Sequence, residues 1–496
     1  MSDAMNDRDL QKGLDAIASN PREVMLKIPE KRDANGKPLA KPSSLFSQSA
    51  IQSGDFVQHR DSVRKTFSTV VDGAYISLED CIPGKAPYAA NDRPESLADT
   101  IKYTDLASME AAGLMQAQLP VQPWSDDYWG LYRGCLGKRY GDPEFPDSQD
   151  WKEHYTYVTQ NAAQGIVSEG NEDLIDLLSP AEKYDLLIGD ASGNLTRAMW
   201  AQGQSYYDRS GAVETWMGIC HGWAPAAYML PRPKKPITVI AADGKTELTF
   251  YPADLKALAS LLWAQANMPT RFVGGRCNEK DPEVDENGRF VASAALDTNP
   301  GTWHLVVVNQ IGVAKRSFVM DATYDYEVWN QPVSSYEYRY FNPQTLQLAG
   351  SLAEATVSKA QFQRDLFKKF RSPQAVNFVG IVMEVSYIRE HAPEQTDGDG
   401  PENDVINTVV YKYDLELDAS GRILGGEWYT GKSHPDFLWT PAPGTRAFSA
   451  ADQYATGSWD SKHALPQSWR TAAISAASRG MPLGKLVEAL LALANQ

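Results

Sequence analysis

Three residues of this 496-residue chain have the types and spacing for nucleophilic chemistry: Cys220, His304 and Asp321. Cys220 lies in Trp216-Met-Gly-Ile-Cys-His-Gly-Trp223, which reads as a Gly-bounded turn opening into a helix. His304 opens the apolar run His304-Leu-Val-Val-Val-Asn309, and Asp321 closes Ser317-Phe-Val-Met320; both runs read as strands. A free thiol titrates near roughly 8.5, and a helix N-terminus or a neighbouring imidazolium lowers that value and supplies thiolate. A histidine can then protonate a leaving amine, and an aspartate can hold the imidazole in one tautomer. Seventeen residues separate His304 from Asp321. That spacing suits adjacent antiparallel strands turning within Ile311–Arg316, with both side chains on one face towards the cysteine helix. His221 competes for the base role. As the helical neighbour of Cys220 it is expected to point away from it, because adjacent helical side chains do not share a face. Taken singly, each residue has a structural reading: a buried cysteine is a small hydrophobe, and a histidine at a strand start is a hydrogen-bonded one.

The composition bounds the partners. A net charge of −16 argues against nucleic acid and anionic membranes. No run of 18 apolar residues marks a membrane span, and the polar start Met1–Leu10 lacks the apolar stretch of a secretory signal. The four cysteines are Cys81, Cys135, Cys220 and Cys277. With Cys220 as nucleophile three remain, which permits one disulfide or none, and their spacings do not suit zinc.

The chain divides into four stretches by pattern. Residues 1–95 form an N-terminal arm, poorly ordered or wrapped on the surface over 1–50, and long enough to act as a pro-segment. Residues 96–215 are helix-rich, and Ser179-Pro-Ala-Glu182 reads as a capping box with Pro at the first helical position. Residues 216–450 form a catalytic core with an antiparallel sheet. Within it Pro252 opens a helix, Ala353–Phe370 reads as an amphipathic helix, residues 376–440 read as strands, and Asp418-Ala-Ser-Gly421 marks a hairpin. Residues 451–496 close the chain with helices. The acidic loop from Glu394 to Asp404 does not match EF-hand spacing and reads as a solvated hairpin tip rather than a calcium site.

Several short motifs then occur in order. Val328-Trp-Asn-Gln-Pro-Val333 resembles the elicitor motif of the oomycete cell-wall transglutaminases, although the following Ser334-Ser-Tyr-Glu-Tyr departs from its basic, Gly-containing continuation. Pro123-Trp-Ser-Asp-Asp-Tyr-Trp129, Ser179-Pro-Ala-Glu-Lys-Tyr184, Gly218-Ile-Cys-His-Gly-Trp223 and Ser433-His-Pro-Asp-Phe-Leu-Trp439 resemble the same family. The resemblance implies an α+β fold with a papain- or transglutaminase-like core, and a protein-glutamine γ-glutamyltransferase with Cys220 as nucleophile, His304 as acid/base and Asp321 as orienter. It implies glutamine- and lysine-containing protein substrates and a secreted or extracytoplasmic setting. No cofactor is required, and calcium stays open. A second donor to the oxyanion, beside the Cys220 backbone N–H, is expected from Trp216 or Trp303, which otherwise wall the site or fill the core. Trp329 and Pro332 form either a rigid exposed turn, or a tryptophan packed over the Asp321 strand and a proline that ends it. The same three residues would also serve a cysteine-dependent deamidase, amidase or protease. An inactive host-recognition or binding protein on this fold is the reading from another class.

Overall fold

The structure, a computed structural model, describes residues 6–27, 69–71, 74–76, 92–275, 283–291, 296, 298–322 and 328–496. It is a mixed α+β fold in which a helical lobe packs against a twisted antiparallel sheet. Ten strands form the main sheet among the described residues. In chain order they are β1 (Gln116–Gln118), β2 (Thr270–Gly274), β3 (Val319–Asp321), β4 (Asn330–Asn342), β5 (Gln347–Ala349), β6 (Thr356–Ser358), β7 (Asn377–Arg389), β8 (Val405–Leu417), β9 (Ile423–Trp428) and β10 (Phe437–Pro441). The sheet runs β9-β8-β7-β4-β3-β10-β2, with β1 and β5 on β4 and β6 on β7. β7 and β8 pair over their whole length, from Asn377↔Leu417 to Arg389↔Val405. Both are rich in Val, Ile and Tyr, which pack well on a pleated surface. The expected hairpin turn at Asp418–Gly421 joins β8 to β9, with Gly421 at positive φ.

The helical lobe is built around α3 (Pro180–Ile188), α4 (Asn194–Ser210), α5 (Cys220–Met229) and α6 (Pro252–Gln265). The capping box at Ser179 and Glu182 is present. At Gly222, where α5 crosses α6, a Cβ would stand 2.1 Å from the Ser260 carbonyl oxygen, so only glycine permits this crossing. Gly218 is held as tightly, since a Cβ there would meet the Tyr128 carbonyl oxygen at 2.4 Å. The Gly-Ile-Cys-His-Gly context therefore reflects close backbone approach on both sides of Cys220.

Three sequence expectations are corrected, the third in part. His304 does not open a strand: it lies in helix α7 (Pro300–Val307), which continues into a π-helical turn over Val308–Val313. Asn299 caps α7 by accepting from Gly301 N–H, and Pro300 supplies a helical φ at its first position. These end signals outweigh the β-preference of the Val run. Ala353–Phe370 is not one helix: it divides into a short helix Leu352–Ala355, strand β6 and a turn at Lys368–Phe370. The acidic loop is the tip between β7 and β8, with Glu394, Asp397 and Glu402 exposed, but Asp399 and Asp404 are not solvated. Arg232 pairs with Asp399 at 3.1 Å and with Asp404 at 2.5 Å, and Lys256 pairs with Asp399 at 2.7 Å, all of them largely buried. In the described part of the N-terminal arm, α1 (Asp7–Ser19) and α2 (Pro21–Leu26) are helices laid on the sheet, which fits the wrapped alternative. Leu10, Leu14, Ile17 and Met25 pack on Phe341, Val382 and Tyr429.

Candidate active site

Cys220 is the first residue of α5, at the end where the unpaired N–H groups of a helix converge. Ile219, the preceding residue, donates its N–H to the Tyr128 carbonyl at 2.7 Å, which fixes the helix start. The thiol is 5% exposed and lines a cavity of about 10 Å³, about the size of one water, together with Trp216, Met217, Gly218, His221, Val328 and Asn330. Its sulfur donates towards the Val328 carbonyl at 3.8 Å and accepts from the Asn330 side-chain amide at 3.4 Å. Cys135 is also a free, buried thiol, whose pKa burial pushes well above the usual range. Cys81 and Cys277 lie outside the described residues.

The sheet decides which partners Cys220 can meet. In the ladder Asp321 stands opposite Asn330, and Val319 stands opposite both Pro332 and Trp439. Directly opposed residues share a face, and so do alternate residues of one strand. Val319, Asp321, Asn330 and Trp439 therefore share one face, onto which Ala224 of α5 packs with Phe272, Val328 and Phe437. Asp321 is fully buried there, and its Oδ1 accepts the Trp329 N–H at 3.0 Å.

His304 is on the other side. Its helix packs with Val273, Met320 and Leu438, which point away from α5. Its Nδ1 bonds the Tyr413 hydroxyl at 2.9 Å, and its ring meets Tyr338 edge-on. Full burial lowers its pKa to about 3, so it is a neutral core residue. The structure brings Cys220 and Asp321 to one face and sets the sheet between them and His304. His221, expected to point away, lines the Cys220 cavity instead. It is buried, next to the thiol in sequence.

Neither tryptophan expected as an oxyanion donor is placed for it. The Trp216 indole N–H is bonded to the buried Glu214 carboxylate, and Trp303 lies in the far core with His304. The hexapeptide Val328–Val333 is not an exposed turn. Val328, Asn330, Gln331 and Val333 are buried, and partly buried Trp329 packs its ring against Tyr128 at 5.4 Å. Pro332 does not end the strand: it sits inside β4, one residue short of where the β7 ladder begins. Sequence reasoning missed Asn330, because attention within that motif went to its tryptophan and proline.

A family model described as transglutaminase elicitor matches residues 99–452. The chain belongs to the transglutaminase elicitor family. The match takes in α5, the whole sheet and Val328–Val333, and stops before the two C-terminal helices of this elicitor-family chain, Gln467–Ala477 and Gly484–Leu493. Among solved structures, the crystal structure of the GP42 transglutaminase from Phytophthora sojae is similar, at 22% identity over 71% of this chain and 94% of that one, with a TM-score of 0.45. No curated protein matches the chain. Among the described residues no helix is long and apolar enough to cross a membrane, and no cluster of three or more His, Cys, Asp or Glu is placed to hold a metal.

Proposed function

We propose that the chain is a protein-glutamine γ-glutamyltransferase that works through a thioester on Cys220. The observation that carries this reading is a buried thiol at a helix N-terminus with a carboxamide N–H on its sulfur. In the reaction the Cys220 sulfur attacks the carboxamide carbon of a glutamine side chain. The C–N bond breaks, and the leaving nitrogen takes a proton and departs as ammonia. A lysine amine then attacks the thioester, the C–S bond breaks, and an isopeptide bond forms as the sulfur regains a proton. His221, which shares the cavity, takes the acid/base role in place of His304. Asp321 supplies a carboxylate on the same sheet face, held by the Trp329 N–H. The cavity is too small for a carboxamide, so substrate enters only when its lining side chains move.

The test is incorporation of a labelled primary amine into a glutamine-rich protein such as casein. Wild type should incorporate it, and Cys220→Ala should not. His221→Gln should lower kcat/KM by roughly 10²-fold or more, the usual scale for a general acid/base. Ammonia release without amine incorporation would replace transferase by deamidase. Full incorporation by Cys220→Ala would reject the thioester.

A further inference from the structure

We propose that Asn330 is a catalytic residue. Its side-chain amide and the Cys220 backbone N–H form the oxyanion hole, and Trp439 is the positioning residue that aims the amide. The assignment rests on the thiol acyl-transfer reading above. Asn330 Nδ2 donates to the Cys220 sulfur at 3.4 Å. A carbonyl carbon bonded to that sulfur places its oxygen within hydrogen-bond reach of the same N–H. A side-chain amide has two chemically different ends, and here a neighbour settles which end faces the sulfur. Asn330 Oδ1 accepts the Trp439 indole N–H at 2.8 Å, and an indole can only donate. The oxygen is therefore held by Trp439, and the donor end is left for the sulfur.

Both residues are rigidly placed. Trp439 is fully buried on β10, Asn330 is 1% exposed on β4, and each is locked in the ladder that carries Asp321. A donor fixed before the reaction, in a largely buried site, is the arrangement that stabilises developing charge most. When the sulfur attacks, the C–S bond forms and the C=O π pair moves to oxygen. That oxyanion accepts from Asn330 Nδ2–H and Cys220 N–H. The pair then returns as the C–N bond breaks and ammonia leaves. Attack of the amine on the thioester regenerates the same oxyanion, and its collapse breaks the C–S bond. The buried hexapeptide motif thus carries a donor to both half-reactions.

Two probes separate this role from simple support of the thiolate. Acylation by p-nitrophenyl acetate passes through an oxyanion; alkylation by iodoacetamide, a displacement at saturated carbon, does not. Asn330→Ala should acylate about 10²- to 10³-fold more slowly, the loss seen when one oxyanion donor is removed. Loss of its N–H···S contact shifts the thiol titration, so alkylation is compared at the limiting rate at high pH, where it should stay close to wild type and also report a folded site. Trp439→Phe, which keeps the ring and frees the amide to turn, should lose about tenfold in acylation and little in alkylation. Equal losses of limiting rate with both probes would overturn the assignment in favour of a thiolate-holding role. Unchanged acylation in Asn330→Ala would also overturn it. A wild-type protein that acylates but never passes the acyl group to an amine would leave Asn330 in place and remove only the transferase reading.

Discussion

The position of His304 behind the sheet has a measurable consequence. Burial lowers its pKa from 6.5 to about 3. The folded state then resists a proton that the unfolded chain accepts. The associated stability is present above pH 6.5 and is lost as the pH falls towards 3. Fully developed, the effect is on the order of 4–5 kcal/mol. Asp126 and Asp185, raised by burial to about 7 and about 6, act in the opposite sense: they favour folding below pH 4 and lose that contribution as the pH rises through those values. His304→Gln should therefore flatten the fall in thermal midpoint between pH 6.5 and 4 relative to wild type, while amine incorporation by the folded protein persists. An acid limb as steep as that of wild type would place His304 in contact with solvent. At this scale the helix start at Cys220 was legible because two glycines frame it. His304 was misread because a four-residue apolar run fits helix or strand equally. Asn330 was hidden because its role depends on Trp439, more than a hundred residues away in the chain.

The crossing of α5 and α6 sets the position of the thiol, and glycine sets the crossing. Gly222→Ala would drive a methyl into the Ser260 carbonyl and should destabilise the protein by at least about 2 kcal/mol in denaturant unfolding, with loss of activity. Gly165, inside the helix Ala163–Glu169, has open space around it. Gly165→Ala should instead stabilise by about 0.5–1 kcal/mol, because it restricts the unfolded chain at a helical position. Equal effects of the two substitutions would contradict the crossing geometry. Local chemistry made several elements readable in advance: the Ser179–Glu182 capping box, the Pro252 helix and the Asp418–Gly421 turn are all present. Ala353–Phe370 was not readable, because β6 there forms by pairing with β7, a partner that periodicity does not report.

For the molecule as a whole, the order of helices followed by strands was enough to read an α+β fold. The ion pairs that help join the lobes were not visible, since they link distant residues. Arg232, beyond α5, reaches Asp404 on the loop between β7 and β8, 172 residues later, and Lys256 of α6 holds Asp399 on that loop. Removing one partner of a buried pair leaves an uncompensated charge, so Arg232→Ala should cost about 3–5 kcal/mol in thermal or denaturant unfolding. A change under about 1 kcal/mol would mean that the loop is solvated. The most direct measurement is the intact mass of the protein during turnover of a glutamine peptide, with peptide mapping of the trapped species. A mass increase equal to the peptide less ammonia, located on Cys220 and discharged by added primary amine, is the predicted result. An acyl group on any other residue, or turnover without a covalent species in a protein whose Cys220 is alkylated, would contradict it.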